Sequence, residues 1–254
     1  RRFESSRLRH LYMYLLFDIG GTKMRLAVSR DGKRLIRQEI FKTPKNFEAG
    51  IKIFERFKTE ISGSGKINVV CGGVAGTFNK DKSKIFWSLH LKGWQNKPLK
   101  KALSRLFNCK VFIENDADLA GLGEAVRGAG RGYNIVAYLT ISTGVGGARI
   151  VNAEIDKNAF GFEPGHQIID IRNNLELEDI VSGSAIIKKY KKEPYDIKSS
   201  RFWDQKAKEL AVGLHNIALL WSPEVIILGG SMMKKVGIPI NRVQFHLKKI
   251  LGEF

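Results

Sequence analysis

Asp18-Ile19-Gly20-Gly21-Thr22-Lys23 stands between an apolar run, Leu11 to Phe17, and a second alternating run, Met24 to Val28. Two strands joined at a glycine tip have this layout. Adjacent glycines let backbone N–H groups approach a polyphosphate with no Cβ in the way, and Thr22 and Lys23 add a hydroxyl donor and a cation. Asp18, at the end of the first strand, is placed to hold the Mg²⁺ that accompanies a nucleotide, through water. An ordinary Gly-Gly hairpin turn flanked by an acid and a base fits the same residues.

Outward from this stretch, Asp31-Gly32 marks a turn and Arg34 to Phe41 a third strand, so the chain opens as a three-strand meander. That excludes the strand-helix-strand start of a Rossmann nucleotide fold. Asn46 to Glu60 has helical spacing through Phe47, Ile51, Phe54 and Phe57, with Ile61 just beyond. Ile67 to Cys71 reads as a buried strand ending in glycines, Lys97 to Leu106 as a helix, Val111 to Glu114 as a strand and Ala117 to Val126 as a helix.

Composition then shifts to glycine at Gly128-Ala129-Gly130-Arg131-Gly132, and a new strand is expected over Ile135 to Ile141. We therefore expect two domains, 11–130 and 131–254. Thr140 to Ala148 forms a second glycine hairpin, with Thr143 and Gly144 at its tip, echoing the one at Asp18. Two such loops facing each other across a cleft could hold a nucleotide's phosphates from both sides. Neither a P-loop nor a complete G-x-G-x-x-G pattern is present.

Between the two loops lies Glu114-Asn115-Asp116-Ala117-Asp118, where a strand gives way to a helix. The helix macrodipole would favour ionised Asp116, and a kinase needs such a carboxylate to accept a proton from an attacking hydroxyl. Asn115 could position the same substrate through its amide. A simple Asn/Asp helix cap is the competing reading.

The composition, 43% hydrophobic and 27% charged, belongs to a globular chain, and its 254 residues can bury a large core. No apolar run approaches the roughly 20 residues of a membrane span, and the basic opening 1–10 lacks a signal-peptide cleavage pattern, so a cytoplasmic protein with no membrane partner is expected. The formal charge of +18 is spread along the chain with no nucleic-acid module. A solvated basic surface is the expectation, with no specific nucleic-acid partner. Cys71 and Cys109 have no metal-ligand spacing.

Taken in order, Asp18 to Lys23, Trp94 to Leu99, Glu114 to Glu124, Ser142 to Gly147, Glu163-Pro164-Gly165-His166, Leu177 to Gly183 and Pro223 to Gly230 resemble the ROK family (repressor, open reading frame, kinase). The resemblance runs from about residue 12 to about residue 231. It implies an α/β actin/hexokinase-type fold of two ribonuclease-H-like domains around a central cleft, and Mg²⁺- and ATP-dependent phosphorylation of a sugar. By resemblance Asp116 becomes the catalytic base, with Asn115, Glu163, His166 and Glu178 as sugar ligands. Gly229 and Gly230 match the adenosine-side turn, though a strand-to-helix glycine turn also explains them. A homodimer is suggested on the same ground.

Two departures stand out. Many family members follow the E-x-G-H histidine with a cysteine-rich loop that holds zinc, whereas Gln167 to Leu175 contains no cysteine. We expect no zinc, which frees His166 for sugar and leaves open how the loop to Glu178 is stiffened. The residues after Gly230 are also fewer than the family pattern expects, with Gly237 to Phe254 as a shortened substitute. The resulting expectation is an ATP:hexose phosphotransferase, glucokinase-like and acting on the glucose 6-hydroxyl. An N-acetylhexosamine or fructose kinase of the same family is the first alternative. A non-catalytic sugar-sensing regulator is the second, against which the early first strand leaves little room for a DNA-binding domain.

Overall fold

The structure, a computed structural model, describes residues 12–234 and 237–252. The basic opening 1–10, the first residue of the expected first strand and the last two residues of the expected C-terminal substitute lie outside them. The chain divides into two compact units, one reaching to Leu119 and including Ala159–Gly161, the other formed by Ala120–Asn158 and the chain from Phe162 onward.

In the first unit the meander is present as β1 (Tyr14–Ile19), β2 (Lys23–Ser29) and β3 (Leu35–Lys42). Next come α1 (Phe47–Glu60), β4 (Val69–Val74), a small hairpin of β5 (Thr77–Phe78) and β6 (Ile85–Trp87), α2 (Leu99–Phe107), β7 (Lys110–Asn115) and the start of α3 (Asp116–Arg127). The main sheet has the order β3-β2-β1-β4-β7, with β1 to β3 antiparallel and β4 and β7 parallel to β1. Leu15, Phe17 and Ile19 alternate into the core from β1. The Asn46 side chain caps α1 by accepting from the Ala49 N–H at 3.0 Å, and Phe54 and Phe57 bury its inner face.

The second unit repeats this plan. After β8 (Ile135–Ile141), β9 (Val145–Val151) and β10 (Glu154–Ile155), the chain forms a hairpin of β11 (Ile168–Asp170) and β12 (Leu175–Glu176). Helices α4 (Leu177–Val181), α5 (Gly183–Tyr190) and α6 (Ser200–Trp221) follow, then β13 (Val225–Gly229) and α7 (Ile240–Leu251). The sheet order is β10-β9-β8-β13, three antiparallel strands with β13 parallel to β8. Each unit thus sets a parallel strand beside the first strand of a meander, and each meander's first turn is a glycine hairpin. The buried faces of β8 and α6, through Leu139, Ile141, Leu210 and Leu214, form the second core.

Candidate active site

The first glycine loop closes on itself through the Gly20 N–H, which donates to the Lys23 carbonyl at 2.9 Å. Buried Thr43, just past β3, holds it from outside. Its hydroxyl donates to the Gly20 carbonyl at 2.7 Å and its N–H to the Thr22 carbonyl at 3.0 Å. Those bonds occupy carbonyls, and Thr22 and Lys23 remain exposed. A Cβ on Gly21 would lie 2.3 Å from the His90 Cβ, so glycine is required there for the histidine to pack against the loop.

Asp18 and Arg25 are cross-strand partners on β1 and β2, and their side chains form an ion pair. Among the described residues no group of three or more His, Cys, Asp and Glu stands together as metal ligands. A Mg²⁺ arriving with a nucleotide asks for less, because it keeps several waters and takes one or two carboxylates plus phosphate oxygens. Asp18, close enough to Asp116 for the two to feel each other's charge, fits that demand.

Asp116 opens α3, yet the cap of that helix is its neighbour. Asn115 Oδ1 accepts from the N–H groups of Ala117 at 2.8 Å and Asp118 at 3.2 Å, while its Nδ2 donates to the Gly76 carbonyl at 3.0 Å. Most of its amide is therefore spent on the fold, with one N–H remaining for a ligand. The helix start does favour ionised Asp116, through the Ala117 N–H, but it does not act alone. Crowding by protein atoms pushes its carboxyl up from the usual range, the Ala117 N–H pulls the other way, the Asp18 carboxylate adds to the rise and the His90 charge opposes it. The net shift is upward, although the residue is exposed to solvent.

In the second unit the tip Ser142–Thr143–Gly144 is bound from behind by the α4–α5 junction. Its Ser142 carbonyl accepts from the Gly183 N–H at 2.7 Å, and its Thr143 carbonyl from the Ser184 hydroxyl at 2.5 Å. Glu178 Oε2 accepts from the Val145 N–H at 2.6 Å and fills the space a Gly144 side chain would need. Glu178 thus latches the second glycine hairpin, a role beyond the expected sugar contact. Gly229 ends β13, and Gly230 follows with φ +96° against the β8 backbone at Ile141.

His166 lies in a short turn after Glu163, and its Nδ1 is 2.7 Å from Glu176 Oε2. That hydrogen bond raises its pKa, partial burial opposes the rise, and the charges of Glu176, Glu163 and Glu178 add to it. Three expected sugar ligands, Glu163, His166 and Glu178, are therefore neighbours in one unit, while Asn115 and Asp116 belong to the other.

The family model for the ROK family matches residues 14–254. The chain belongs to the ROK family. Its relatives include a glucokinase of Thermotoga maritima, 31% identical over 60% of this chain and 50% of that protein. The xylose repressor of Bacillus subtilis is 29% identical over 67% of this chain and 50% of its own length, so the chain spans about half of each. A ROK hexokinase from Thermus thermophilus superposes with a TM-score of 0.79 at 24% identity, covering 94% of this chain and 89% of that one. A ROK glucokinase from Streptomyces griseus, solved with glucose and AMPPNP, gives 0.77 at 21%, with 94% and 90% covered. The fold is the α/β actin/hexokinase type.

The structure of this ROK chain also answers how the cysteine-free loop is stiffened. Residues 168–176 form the β11–β12 hairpin, anchored where the Leu177 N–H donates to the Gln167 carbonyl at 2.9 Å. Gln167 donates to the Pro164 carbonyl at 2.8 Å and accepts from Asn216 at 2.9 Å. Glu176 caps α4 and holds His166 with the same carboxylate. Thr43, His90 and Glu176, which touch the candidate site residues, are missed by sequence reasoning. Only Glu176, two positions before Glu178 and ten after His166, carries a usable signal.

Because folding raises the His166 pKa, the pair's stabilisation is present below the unfolded value near 6.5 and lost as pH rises through the folded one. Both side chains are more than one-third exposed, so screening limits it to about 1 kcal/mol or less. Glu176→Gln keeps an acceptor for the cap and removes the charge. It should melt below wild type at pH 6, with the gap closing by pH 9. A gap independent of pH in a thermal-melt series would show that the ion pair contributes nothing.

Proposed function

We propose that this ROK protein is an ATP-dependent sugar kinase that transfers the γ-phosphoryl group to a hexose hydroxyl, the glucose 6-hydroxyl being the first candidate. The observation carrying this reading is the pairing, within one unit, of a glycine phosphate loop with Asp116, a carboxylate whose proton affinity is raised by crowding. A base shifted towards neutral pH is a better match for the proton it receives.

In this reading the backbone N–H groups at Gly20 and Gly21, with Thr22 and Lys23, cradle the phosphates, and Thr143, Gly144, Gly229 and Gly230 serve the nucleotide in the second unit. Asp18, through water, and the nucleotide phosphates would hold Mg²⁺, which supplies charge neutralisation at the transferring group. The hydroxyl oxygen forms its bond to the γ-phosphorus as the bond to the β–γ bridging oxygen breaks. The hydroxyl proton passes to Asp116, and the bond's electron pair leaves on ADP. Glu163, His166 and Glu178 orient the sugar, Asn115 using its remaining N–H.

The glucose- and AMPPNP-bound relative supports donor and acceptor alike. A putative fructokinase of Bacillus subtilis among the relatives keeps the same-family alternatives in view, and the xylose repressors do so for a sugar-sensing regulator. A coupled ADP-release assay across hexoses and N-acetylhexosamines decides between them. Sugar-dependent release with at least one hexose is expected, and none with any sugar would leave the regulator.

Glu163→Gln and Glu178→Gln should each weaken sugar binding about 10-fold to 100-fold, since a charged hydrogen bond is worth roughly 1.5–3 kcal/mol. Gln at 178 still offers an acceptor to the Val145 N–H, so nucleotide affinity measured without sugar should stay near wild type. Calorimetric titrations showing normal sugar binding in both variants would remove these acids from the site.

A further inference from the structure

We propose that His90 donates a hydrogen bond to the terminal phosphate of a nucleotide held by the first glycine loop, the group that is transferred if the kinase reading above holds. His90 is exposed, but its main chain is braced. Buried Ser88 donates its hydroxyl to the Ala75 carbonyl at 2.8 Å and accepts from the Leu91 N–H at 3.2 Å, and its carbonyl accepts from Gln95 at 3.0 Å. Leu91, the next residue, is buried in the core. A solvent-facing imidazole is thus carried on a turn anchored on both sides.

Its position is defined by Gly21. The place where a Gly21 Cβ would stand is 2.3 Å from the His90 Cβ, 2.9 Å from Cγ and 3.5 Å from Cδ2. The distances lengthen from Cβ outward, so the ring is rooted beside the loop's second glycine and extends away from it. Among the described residues no protein group hydrogen-bonds the ring nitrogens, so the N–H is available to a ligand. The charge of His90 also reaches the Asp116 carboxylate. A donor rooted beside the glycine loop and within electrostatic reach of Asp116 would meet negative charge on the terminal phosphate, and preorganised donors at such a place gain most when charge is redistributed in the transition state.

The test compares full-length wild type, His90→Phe and His90→Asn. Phenylalanine keeps a ring against Gly21 without a donor, and asparagine keeps a shorter donor. With Mg·ATP and the sugar turned over fastest, His90→Phe should lower kcat about 10-fold to 100-fold with sugar KM changed less than about twofold, and His90→Asn should fall between it and wild type. A kcat within about twofold of wild type in His90→Phe overturns the proposal. So does a rise in sugar KM at constant kcat, which would make His90 a sugar ligand. If wild type turns over no sugar, the kinase reading fails and His90 is still tested by binding. Its imidazole C–H resonance, assigned by its loss in His90→Asn, should shift on saturation with Mg·ATP and much less with Mg·ADP. Equal shifts, or none, overturn the assignment.

Discussion

Asp116→Asn is expected to lower kcat by about 10² to 10⁴ while sugar and nucleotide affinities stay within a few-fold of wild type. The amide keeps the shape and the Oδ1 acceptor that receives the Ala117 N–H at 3.0 Å, and loses only the capacity to take a proton. Retention of more than about a tenth of the wild-type kcat would end the assignment of Asp116 as base. The raised carboxyl also sets a pH signature: kcat/KM should rise with pH through an apparent pKa above the ordinary 3.8 of aspartate. Stability should move the opposite way. Folding raises this pKa, so the native protein holds the proton more tightly than the unfolded chain. The contribution is present below the unfolded value and lost as pH rises through the native one. At pH 7 the ionised group opposes folding, and Asp116→Asn should therefore melt at or above wild type. A lower melting temperature would mean that the carboxylate's hydrogen bonding outweighs its desolvation. Because water reaches the residue, the gain is small.

Gly230→Ala should destabilise the second unit severely, although it adds a single methyl group. The residue has φ +96°, a region that residues with a Cβ occupy at a cost of about 1–3 kcal/mol. The added carbon would also meet the Ile141 backbone at 2.1 Å from its oxygen, 2.6 Å from its carbon and 2.7 Å from its nitrogen. Ile141 is fully buried at the end of β8, so it has little room to yield. Together these should cost roughly 3 kcal/mol or more, lowering the unfolding midpoint of a chain this size by about 6–12 °C. Gly132→Ala provides the control, because Gly132 has φ +95° with nothing within 4 Å of the added carbon. It should cost only the backbone share of about 1–3 kcal/mol, and less than Gly230→Ala. Equal losses in urea denaturation of the two variants would show that the approach to β8 carries no weight. The geometry also shows that packing demands a strand-end glycine here, whether or not a nucleotide binds.

The elements that the sequence alone locates are those with a strong local period or a glycine tip. The second and third meander strands, α1 and α2 lie within two residues of their expected bounds, β1 begins three residues after the expected Leu11, and Ile135–Ile141 coincides with β8, because alternation and 3.6-residue spacing act over a few neighbours. The ordered motifs are likewise enough for the family and thus the fold. Short elements with no period of their own, such as β5, β6 and the β11–β12 hairpin, are not legible. Neither are the partners that give the site residues their chemistry. Thr43 reaches Gly20 across 23 residues and Asn115 reaches Gly76 across 39, separations at which one sequence carries no periodic trace. The sign of the Asp116 shift is decided the same way. Its place at a helix start is local and argues for ionisation, whereas the desolvation that raises its pKa and the Asp18 carboxylate that adds to the rise come from chain brought together only by the tertiary fold.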